Sequence, residues 1–456
     1  MSNGLFDDLQ VQKAAKRTGG GRPRLRTAER GQVELRAVSL DDLIAADHRV
    51  RLVWHFVEEL DLSALMAEIK AVEGRPGHPP ADPRILVALW LFATIEGIGS
   101  ARALTRRCEE SLPFQWLCGG VGMNHKTLSD FRVGHGAVLE GLLGDSFAAL
   151  MAAGVAGLER VAQDGVRVRA SAGAASFRRH STLEECSRQA KAQVARLRCE
   201  LDADPGVASR REAAARKRAA ADREKRVETA LAVTAELRAM HEEKAQKRAR
   251  RSKTNGRDDD KAAQADPSPK EPRASTTDAQ ARVMKMADGG FRPAYNVQFT
   301  ADTKSGAVAS VAVDNVGSDM GRLEPTSTAL ETTYGRRPGE HLADGGYAKL
   351  DDITTLARAG VTPYVPVPAP RDKARDRYAR MPDDPPEVAA WRERMASDEA
   401  KEIYKQRAAT VECVNAQARN RGLTRFFVRG MDKVKAVALW HALAHNMACS
   451  WRLAST

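Results

Sequence analysis

A long charged segment divides the chain and limits the folds that it can adopt. Residues 182–251 are rich in Ala, Arg, Lys and Glu, and the sequence "DADPG" at 202–206 breaks them into two helical runs. An antiparallel helical hairpin is the simplest prediction. The sequence that follows, "RSKTNGRDDDKAAQADPSPKEPRAST", has almost no large apolar side chains and predicts a mobile linker. We therefore expect residues 178–273 to be an insertion.

Without that insertion, two stretches with the pattern of β-strands become neighbours. Residues 158–170 form the first, and residues 294–315 form a predicted hairpin around "DTKSG". A helix at about 320–333, a strand through Leu342, a helix near 350–358 and the strand "TPYVPV" follow. The order of three strands, helix, strand, helix and strand matches an RNase H-like α/β sheet.

The predicted fold class is therefore α/β, with an RNase H-like catalytic domain that a helical hairpin insertion interrupts. This domain spans residues 156–456, with the hairpin and linker at 178–273. An all-α N-terminal domain at 37–155 and a basic flexible tail at 1–36 precede it. A chain of 456 residues is long enough for several such domains.

Two aspartates occupy related places on strands that are neighbours in that fold. Asp164 lies in the middle of the first predicted strand, in "QDGV". Asp344 ends the fourth strand, immediately before two glycines. We therefore expect the two carboxylates to meet at one edge of the sheet. Taken alone, each Asp-Gly is also a common turn signal.

A third acid is expected from the helical stretch 401–419. Tyr404, Glu412 and Arg419 project within an arc of about 80° at roughly 100° per residue, so Glu412 is the candidate. The five-residue spacing turns Arg407 about 140° from Glu412, so we expect Arg407 to contribute less to the site. In isolation, Glu412 is one of many helical glutamates.

Three converging carboxylates need a counter-charge, because like charges held together cannot all stay ionised cheaply. Carboxylate ligands that leave coordination positions open suit Mg²⁺ or Mn²⁺. Two such ions can activate an attacking hydroxyl on one side of a phosphorus and stabilise the leaving oxygen on the other. We therefore predict that Asp164, Asp344 and Glu412 are catalytic and hold two divalent ions.

At these residues the chain resembles the bacterial insertion-sequence transposases of the DDE class. "QDGVRVRAS" around Asp164 and "LADGGYAKLDD" around Asp344 resemble the first two acidic motifs. Tyr404-x2-Arg407-x4-Glu412-x6-Arg419 resembles the third signature, whose commonest form has three residues between Arg and Glu and ends in lysine. The resemblance implies cleavage at the ends of a mobile element and joining of the freed 3′ hydroxyls to target DNA. It also implies a homo-oligomer on DNA, with Tyr404, Arg407 and Arg419 at the DNA backbone.

The N-terminal part resembles the helical domain of the same enzymes. "GIGSARALTRRCEE", followed after a loop by "NHKTLSDFR", suggests a helix-turn-helix-like unit. The candidates for DNA binding near the start of its second helix are Lys126, Thr127, Ser129 and Arg132. Residues 37–177 carry 13 Lys/Arg against 17 Asp/Glu, so on charge alone a purely structural helical bundle is equally compatible.

The net charge of +12 comes from two places, the tail and the insertion. Residues 1–36 hold 8 Lys/Arg against 4 Asp/Glu, and residues 178–273 hold 25 against 17. This excess suits double-stranded DNA, although a solvated charged helix is an alternative for the insertion. The longest apolar run, 85–95, is too short to cross a bilayer, and no signal peptide is evident. We expect no membrane contact and a cytoplasmic, nucleoid-associated location.

A row of potential metal ligands occurs near the end of the sequence. His441, His445 and Cys449 follow one another at i, i+4 and i+8 on a predicted helix. They lie among large apolar residues, including Trp440 and Trp451, so packing in the core is favoured over a zinc site.

Two alternatives to a transposase stay open at this point. One is a nuclease on the same fold that cuts DNA without joining it. The other is a non-catalytic DNA-binding or architectural protein, in which the acids have only structural roles. Metal-dependent cleavage distinguishes the second alternative from the enzymes, and joined products distinguish a transposase from a nuclease.

Overall fold

The computed structural model describes most of the chain between Gly31 and Ala454. The described residues are Gly31 and residues 37–74, 77–203, 210–254, 271–370 and 374–454. The predicted basic tail at 1–36 lies outside them, apart from Gly31. Most of the predicted linker (255–270) and part of the "DADPG" break (204–206) also lie outside the described residues.

Helices make up the regular structure of the N-terminal part. They are α1 (Arg49–Glu58), α2 (Ser63–Ala67), α3 (Pro83–Ile95), α4 (Ala101–Glu110), α5 (Leu112–Cys118), α6 (His125–Gly134) and α7 (Gly136–Ala152). Helix α3 is central, because its sequence "PRILVALWLFATI" is apolar on every side and nearly all of it is buried. Asp82 caps its first turn by accepting a hydrogen bond from the Arg84 amide at 2.8 Å.

Eight strands follow in the described chain. They are β1 (Arg160–Arg169), β2 (Phe177–Arg179), β3 (Arg273–Ser275), β4 (Arg282–Lys285), β5 (Phe291–Asp302), β6 (Val308–Asp314), β7 (Glu340–Leu342) and β8 (Thr362–Tyr364). Six of them form one mixed sheet, and β2 and β3 form a separate antiparallel pair.

In the large sheet, β5 lies antiparallel to β1 on one side and to β6 on the other. Strand β7 lies parallel to β1, and β8 lies parallel to β7. The short β4 pairs with the start of β5. The sheet order is therefore β4-β5-β1-β7-β8, with β6 also paired to β5. The α/β class and the helical N-terminal region predicted from the sequence are confirmed.

Three short strands were missed in the sequence, the first of them β2 at Phe177–Arg179. Strand β3 lies at the end of the stretch that was predicted to be a linker, and α9 covers the first four residues of that stretch, so that prediction is wrong for Arg273–Ser275 and for residues 251–254. Strand β4, at Arg282–Lys285, was not predicted either. These strands are only three or four residues long, and β3 pairs with residues almost a hundred positions earlier, as in Phe177 with Ser275. A local pattern carries little information about such distant pairing.

Two long helices occupy the charged segment, α8 (His180–Ala203) and α9 (Arg210–Thr254). They run antiparallel, since His180 at the start of α8 contacts Thr234 at 3.0 Å, whereas Lys191 pairs with the earlier Glu228 at 3.3 Å. Their apolar contact includes Leu183, Ala230 and Val233, and it extends onto Ala274 of β3. The pair of helices is therefore anchored on the small β2–β3 sheet.

The remaining helices lie towards the C terminus. They are α10 (Leu323–Tyr334), α11 (Leu350–Arg358), α12 (Pro386–Ala396), α13 (Asp398–Arg407), α14 (Cys413–Asn420) and α15 (Met431–Ala454). Helix α15 contacts both the N-terminal helices and the sheet. Its Trp440 donates to the Arg132 carbonyl at 3.0 Å, and its Asn446 forms two hydrogen bonds with the backbone of Val308. One hydrophobic core therefore joins the two parts.

Across the described ranges, every helix is too short or too polar to span a lipid bilayer. The six cysteines all lie in these ranges, and none of them is paired in a disulfide.

A histidine in the sheet makes stability depend on pH. His341 of β7 is fully buried, and neither ring nitrogen has a hydrogen-bond partner. Burial lowers the pKa of this imidazole to about 4. Below the ordinary pKa of about 6.5, the unfolded chain therefore binds a proton that the folded protein does not bind. Because this proton stabilises the unfolded chain, the free energy of unfolding decreases as the pH falls from about 6.5 to about 4.

We expect the His341→Leu variant to lose less stability in acid than the parent protein. Between about pH 7 and pH 5, the difference in unfolding free energy attributable to His341 is about 2 kcal/mol. Urea unfolding followed by tryptophan fluorescence at both pH values measures it. An unchanged pH dependence in His341→Leu would contradict the burial of a neutral imidazole.

Candidate active site

The register of the sheet places the two predicted aspartates on one side. Ala162 of β1 pairs with Leu342 of β7 in parallel register. Asp164 and Asp344 each follow two residues later, and side chains alternate between the two faces of a sheet. Both carboxylates therefore point to the same face at the same edge of the sheet.

The environment of Asp164 opposes its negative charge. Burial, together with nearby Asp344 and Asp319, raises the pKa of its half-buried carboxyl to about 6, although Arg407 acts in the opposite direction. One carboxylate oxygen accepts a hydrogen bond from the Gly165 amide at 2.9 Å. A cation beside Asp164 would relieve this unfavourable charge.

Glycine follows Asp164 because the opposite face of β1 is filled with polar side chains. A Cβ atom on Gly165 would lie 2.5 Å from both Asp319 Oδ1 and Gln298 Nε2, and 2.7 Å from Asn296 Oδ1. Gly165 is paired within β1 and is not part of a turn. The Asp-Gly sequence therefore reflects close packing behind the acid.

A buried polar network lies behind the acids and includes Asp319, which the sequence reasoning missed. Asp319 Oδ1 accepts hydrogen bonds from Asn296 at 2.6 Å and Gln298 at 2.7 Å. The hydroxyl of Tyr347, next to the Asp344 turn, donates to Gln298. Burial and the surrounding carboxylates, first Asp319, raise the pKa of Tyr347. Its phenol therefore stays protonated as a hydrogen-bond donor.

The segment with the third predicted acid contains an irregular helical turn. Helix α13 continues through a π-helical turn, Ala408–Glu412, into α14. A π-helix has i to i+5 hydrogen bonds, so residues five apart lie nearly one above the other. The prediction that Arg407 is turned about 140° from Glu412 is therefore wrong. The π-helical turn accommodates the additional residue in the signature.

Arg407 consequently links two of the predicted acids. Its Nη2 atom is 2.6 Å from Glu412 Oε1, and its Nη1 atom is 3.8 Å from Asp164 Oδ2. Its guanidinium also lies 5.7 Å from the centre of the Tyr404 ring. Burial raises the pKa of Tyr404, which Arg407 opposes and the charges of Asp344 and Glu412 reinforce. Tyr404, Arg407 and Glu412 thus lie beside the aspartates.

Arg419 is placed differently. It is exposed on α14, and among the described residues it has no ion pair or hydrogen bond with Asp164, Asp344 or Glu412. Its guanidinium is therefore available to a partner outside the protein.

Asn415 is a second residue that the sequence reasoning missed. Its side-chain amide donates to Asp164 Oδ2 at 2.9 Å, and the residue is only 5% exposed. It lies three positions after Glu412, a spacing that places both on neighbouring faces of a helix. That spacing was the signal that could have identified Asn415 as a contact of the acids.

The donor set suits a divalent cation only in part. Asp164 and Asp344 offer carboxylates on one side of the sheet, whereas the Glu412 carboxylate is paired with Arg407. No group of three His, Cys, Asp or Glu side chains in the described chain is close enough together to hold a metal ion. Asp164 and Asp344 therefore offer oxygen ligands of the kind that a divalent ion prefers, and Glu412 would join them only if its ion pair opened.

The four N-terminal candidates separate into two groups. Lys126, Thr127 and Ser129 are exposed on α6, and Lys126 pairs with Asp130 at 3.0 Å. Arg132, by contrast, is 8% exposed, donates to a backbone carbonyl and stacks over a tryptophan ring. Burial also lowers its pKa to about 10. We therefore revise the prediction for Arg132, which braces the helices and is not accessible to DNA.

His441, His445 and Cys449 are all buried in α15, which confirms the prediction that they pack in the core. His445 Nε2 lies 2.9 Å from the Gly306 carbonyl and 3.3 Å from the sulfur of Cys449. Burial lowers the pKa of His441 to about 3 and that of His445 to about 4.

The packing behind Asp164 predicts that Gly165→Ala is destabilising. The added methyl group would force several polar side chains apart, at a cost of about 1–3 kcal/mol in unfolding free energy. Gly173→Ala is the matched control, because nothing lies within 4 Å of a Cβ atom built there. Chemical unfolding of both variants tests this, and equal stabilities would contradict the packing described.

The π-helical turn predicts that removal of one residue is tolerated. Deletion of Ala409, which is exposed, would place Arg407 four residues before the glutamate, and a regular α-helix brings such residues together. We expect the deletion variant to melt at or above the parent temperature. Deletion of Ala416, exposed in the regular helix α14, is the control and should lower the melting temperature. Equal losses in both variants would show that the extra residue is needed for the fold.

Comparison with known families gives two matches, one near each end of the chain. A transposase domain family (DUF772) matches residues 38–133, which include Lys126 and Arg132. A transposase DDE domain family matches residues 378–449, which include Tyr404 and Glu412. No curated protein and no solved structure matches the chain. The two matches support the assignment of the chain to the insertion-sequence transposases of the DDE class.

Proposed function

We propose that the protein binds the ends of its own mobile element, cleaves DNA there and joins the freed 3′ hydroxyls to target DNA. The observation that carries this proposal is the placement of Asp164 and Asp344 on one face and edge of the sheet. The helix with Tyr404, Arg407 and Glu412 lies beside them. These residues are the proposed catalytic set.

The sheet supports a finer assignment of the fold. Strands β6, β5, β1, β7 and β8 lie in the order expected of an RNase H-like domain, with the last two parallel to β1. We assign this domain to residues 156–456, with the helical pair and linker at 178–273 inserted between β1 and β5. The helical domain at 37–155 and the tail at 1–36 complete the proposed division.

Asp164 and Asp344 would hold a divalent ion, Mg²⁺ or Mn²⁺, and Glu412 would help to bind a second. Such ions lower the pKa of an attacking hydroxyl and stabilise the oxygen that leaves phosphorus. The protein's own contribution is orientation. Asn415 and the Gly165 amide each bind one oxygen of Asp164 and so fix the direction of its carboxylate.

Arg407 has a proposed part in the same site. Its guanidinium neutralises Glu412 and approaches Asp164, which stabilises the acids before an ion binds. If Glu412 bound an ion, Arg407 would be free to bind a DNA phosphate, for which its forked geometry is suited. Arg419 and Tyr404 would contact the DNA backbone nearby.

Double-stranded DNA is the proposed partner, at the element ends and at the target. The exposed Lys126, Thr127 and Ser129 on α6 are the candidates for contacts to the ends. Two ends must be held together for joining, so we also propose a homo-oligomer on DNA. Such a protein would act at the nucleoid.

Replacement of one aspartate tests the catalytic proposal. We expect Asp164→Asn and Asp344→Asn each to reduce Mg²⁺- or Mn²⁺-dependent cleavage of an element end at least about 100-fold, since metal assistance contributes several kcal/mol. Both variants should still shift the same duplex in a gel. Asp398→Asn, at a side chain that is 97% exposed, is the control and should cleave normally. Glu412→Gln should behave like the aspartate variants.

The products distinguish the alternatives. Joined DNA from the parent protein supports the transposase, whereas cleavage without joining indicates a nuclease. If the parent protein binds the duplex but does not cleave it with either ion, the acids are structural and the protein is a DNA-binding protein. Cleavage by Glu412→Gln at the parent rate would remove Glu412 from the catalytic set.

A comparison of two arginine variants tests the role of Arg407. Arg407→Ala should impair cleavage at least as much as Arg419→Ala, because Arg407 contacts the acids.

A further inference from the structure

A groove of about 840 Å³ lies beside the paired helices, bounded by α9, the β2–β3 sheet and β4. Its lining combines apolar and cationic side chains. Phe177, Leu237 and Val283 contribute apolar surface, and Val283 is 51% exposed. Arg179, Arg273 and Arg282 also line it. Arg282 is partly buried and donates to backbone carbonyls, whereas Arg179 and Arg273 are exposed and could bind the phosphates of a DNA backbone.

Two arginines of this groove lie opposite each other, and their repulsion lowers the stability of the fold. Arg179 and Arg273 are direct cross-strand partners of the β2–β3 pair, and like charges in such positions are destabilising. Glu271 offsets this only in part, because it lies 3.5 Å from Arg179 and also pairs with Arg238 at 3.0 Å. No acidic side chain of the described chain lies within ion-pair distance of Arg273. A polyanion in the groove would supply the missing counter-charge.

The chain leads from the acids towards the groove. Beyond Asp164, β1 continues for five residues to Arg169, which is about 17 Å at about 3.3 Å per residue. The segment that follows reaches β2 at Phe177, which lines the groove.

Helix α9 carries more positive charge than α8. This helix carries 15 Lys/Arg against 7 Asp/Glu, whereas α8 carries 4 of each. Its buried face consists of small and apolar residues such as Ala220, Val227 and Ala230. Arg216, Lys217 and other cations are exposed. Helix α9 therefore carries exposed cations and also lines the groove through Leu237.

We propose that this groove binds the phosphate backbone of the duplex DNA on which the acids act. This inference rests on the proposed function, which makes duplex DNA the substrate. The helical pair thus has a role in holding DNA, separate from the chemistry at the sheet.

Arg273→Thr tests this binding site without disturbing the acids. Threonine is favoured in strands and removes the opposed charges, so the melting temperature should stay the same or rise. Loss of one phosphate contact should weaken binding about eightfold at about 0.1 M salt and reduce the salt slope by about 0.9. Fluorescence anisotropy of the full chain with a labelled duplex of about 40 bp, four helical turns, measures both.

Arg336→Thr is the matched control. Arg336 is also exposed and lies just before β7 at the opposite edge of the sheet, and among the described residues its ion pair is a 3.8 Å contact with Glu159. It should keep the parent affinity and salt slope. A role of Arg273 in stability alone would lower the melting temperature and leave the salt slope unchanged, which would overturn the proposal. A change in oligomeric state by light scattering, with the parent salt slope, would assign the groove to a second copy of the chain and would also overturn it.

The same variants separate this proposal from the proposed function. If the parent protein does not cleave DNA but Arg273→Thr weakens binding as stated, the groove is a DNA site and the transposase assignment fails. If the parent cleaves and joins DNA while Arg273→Thr binds with the parent affinity and slope, the groove proposal fails and the assignment stands.

Discussion

The carboxylate of Asp164, held half-buried in the middle of a strand, is the constraint on which the arrangement of the site depends. Burial opposes its charge, so the protein must supply donors and a cation around it. Asn415 provides a donor from α14, and Arg407 provides the charge from the end of α13. On the other face, Gly165 leaves room for the amides that hold Asp319. The contacts of one acid thus determine the position of two helices and the identity of its neighbour in sequence.

Helix α15 packs against both the sheet that carries the site and the N-terminal helices, and so joins them in one core. Trp440 and Asn446 of this helix bond to the backbone of α6 and β6, and its buried residues pack in the core that joins the two parts. Arg132 belongs to this contact, since its carbonyl accepts from Trp440 while its guanidinium donates to Gly99. A duplex bound at α6 would therefore be held at a fixed distance from the acids, without a flexible joint between recognition and chemistry.

The sequence predicted strands and helices correctly where they are long enough to have a periodic pattern of their own, and where their order along the chain indicated which strands pair. Long alternating or helical stretches, such as β1 and α11, have periodicity of their own, and the order of the strands then implied that Asp164 and Asp344 would be neighbours. It failed where pairing is distant or geometry is irregular. Strand β3 depends on residues almost a hundred positions away, and the burial of Arg132 depends on α15. Asp319 is an ordinary polar residue in sequence, and only its tertiary contacts distinguish it, whereas Asn415 had a signal in its spacing of three residues from Glu412.

The π-helical turn at Ala408–Glu412 has a consequence for how such signatures are compared among proteins. A helix can absorb one inserted residue as a local widening while the side chains on either side keep their partners. The contact between the arginine and the glutamate can therefore be kept when the number of intervening residues increases by one. A search that demands three residues between arginine and glutamate would pass over this chain, although its arginine contacts its glutamate. Patterns that permit one additional residue within that helix would group it with proteins of the shorter spacing.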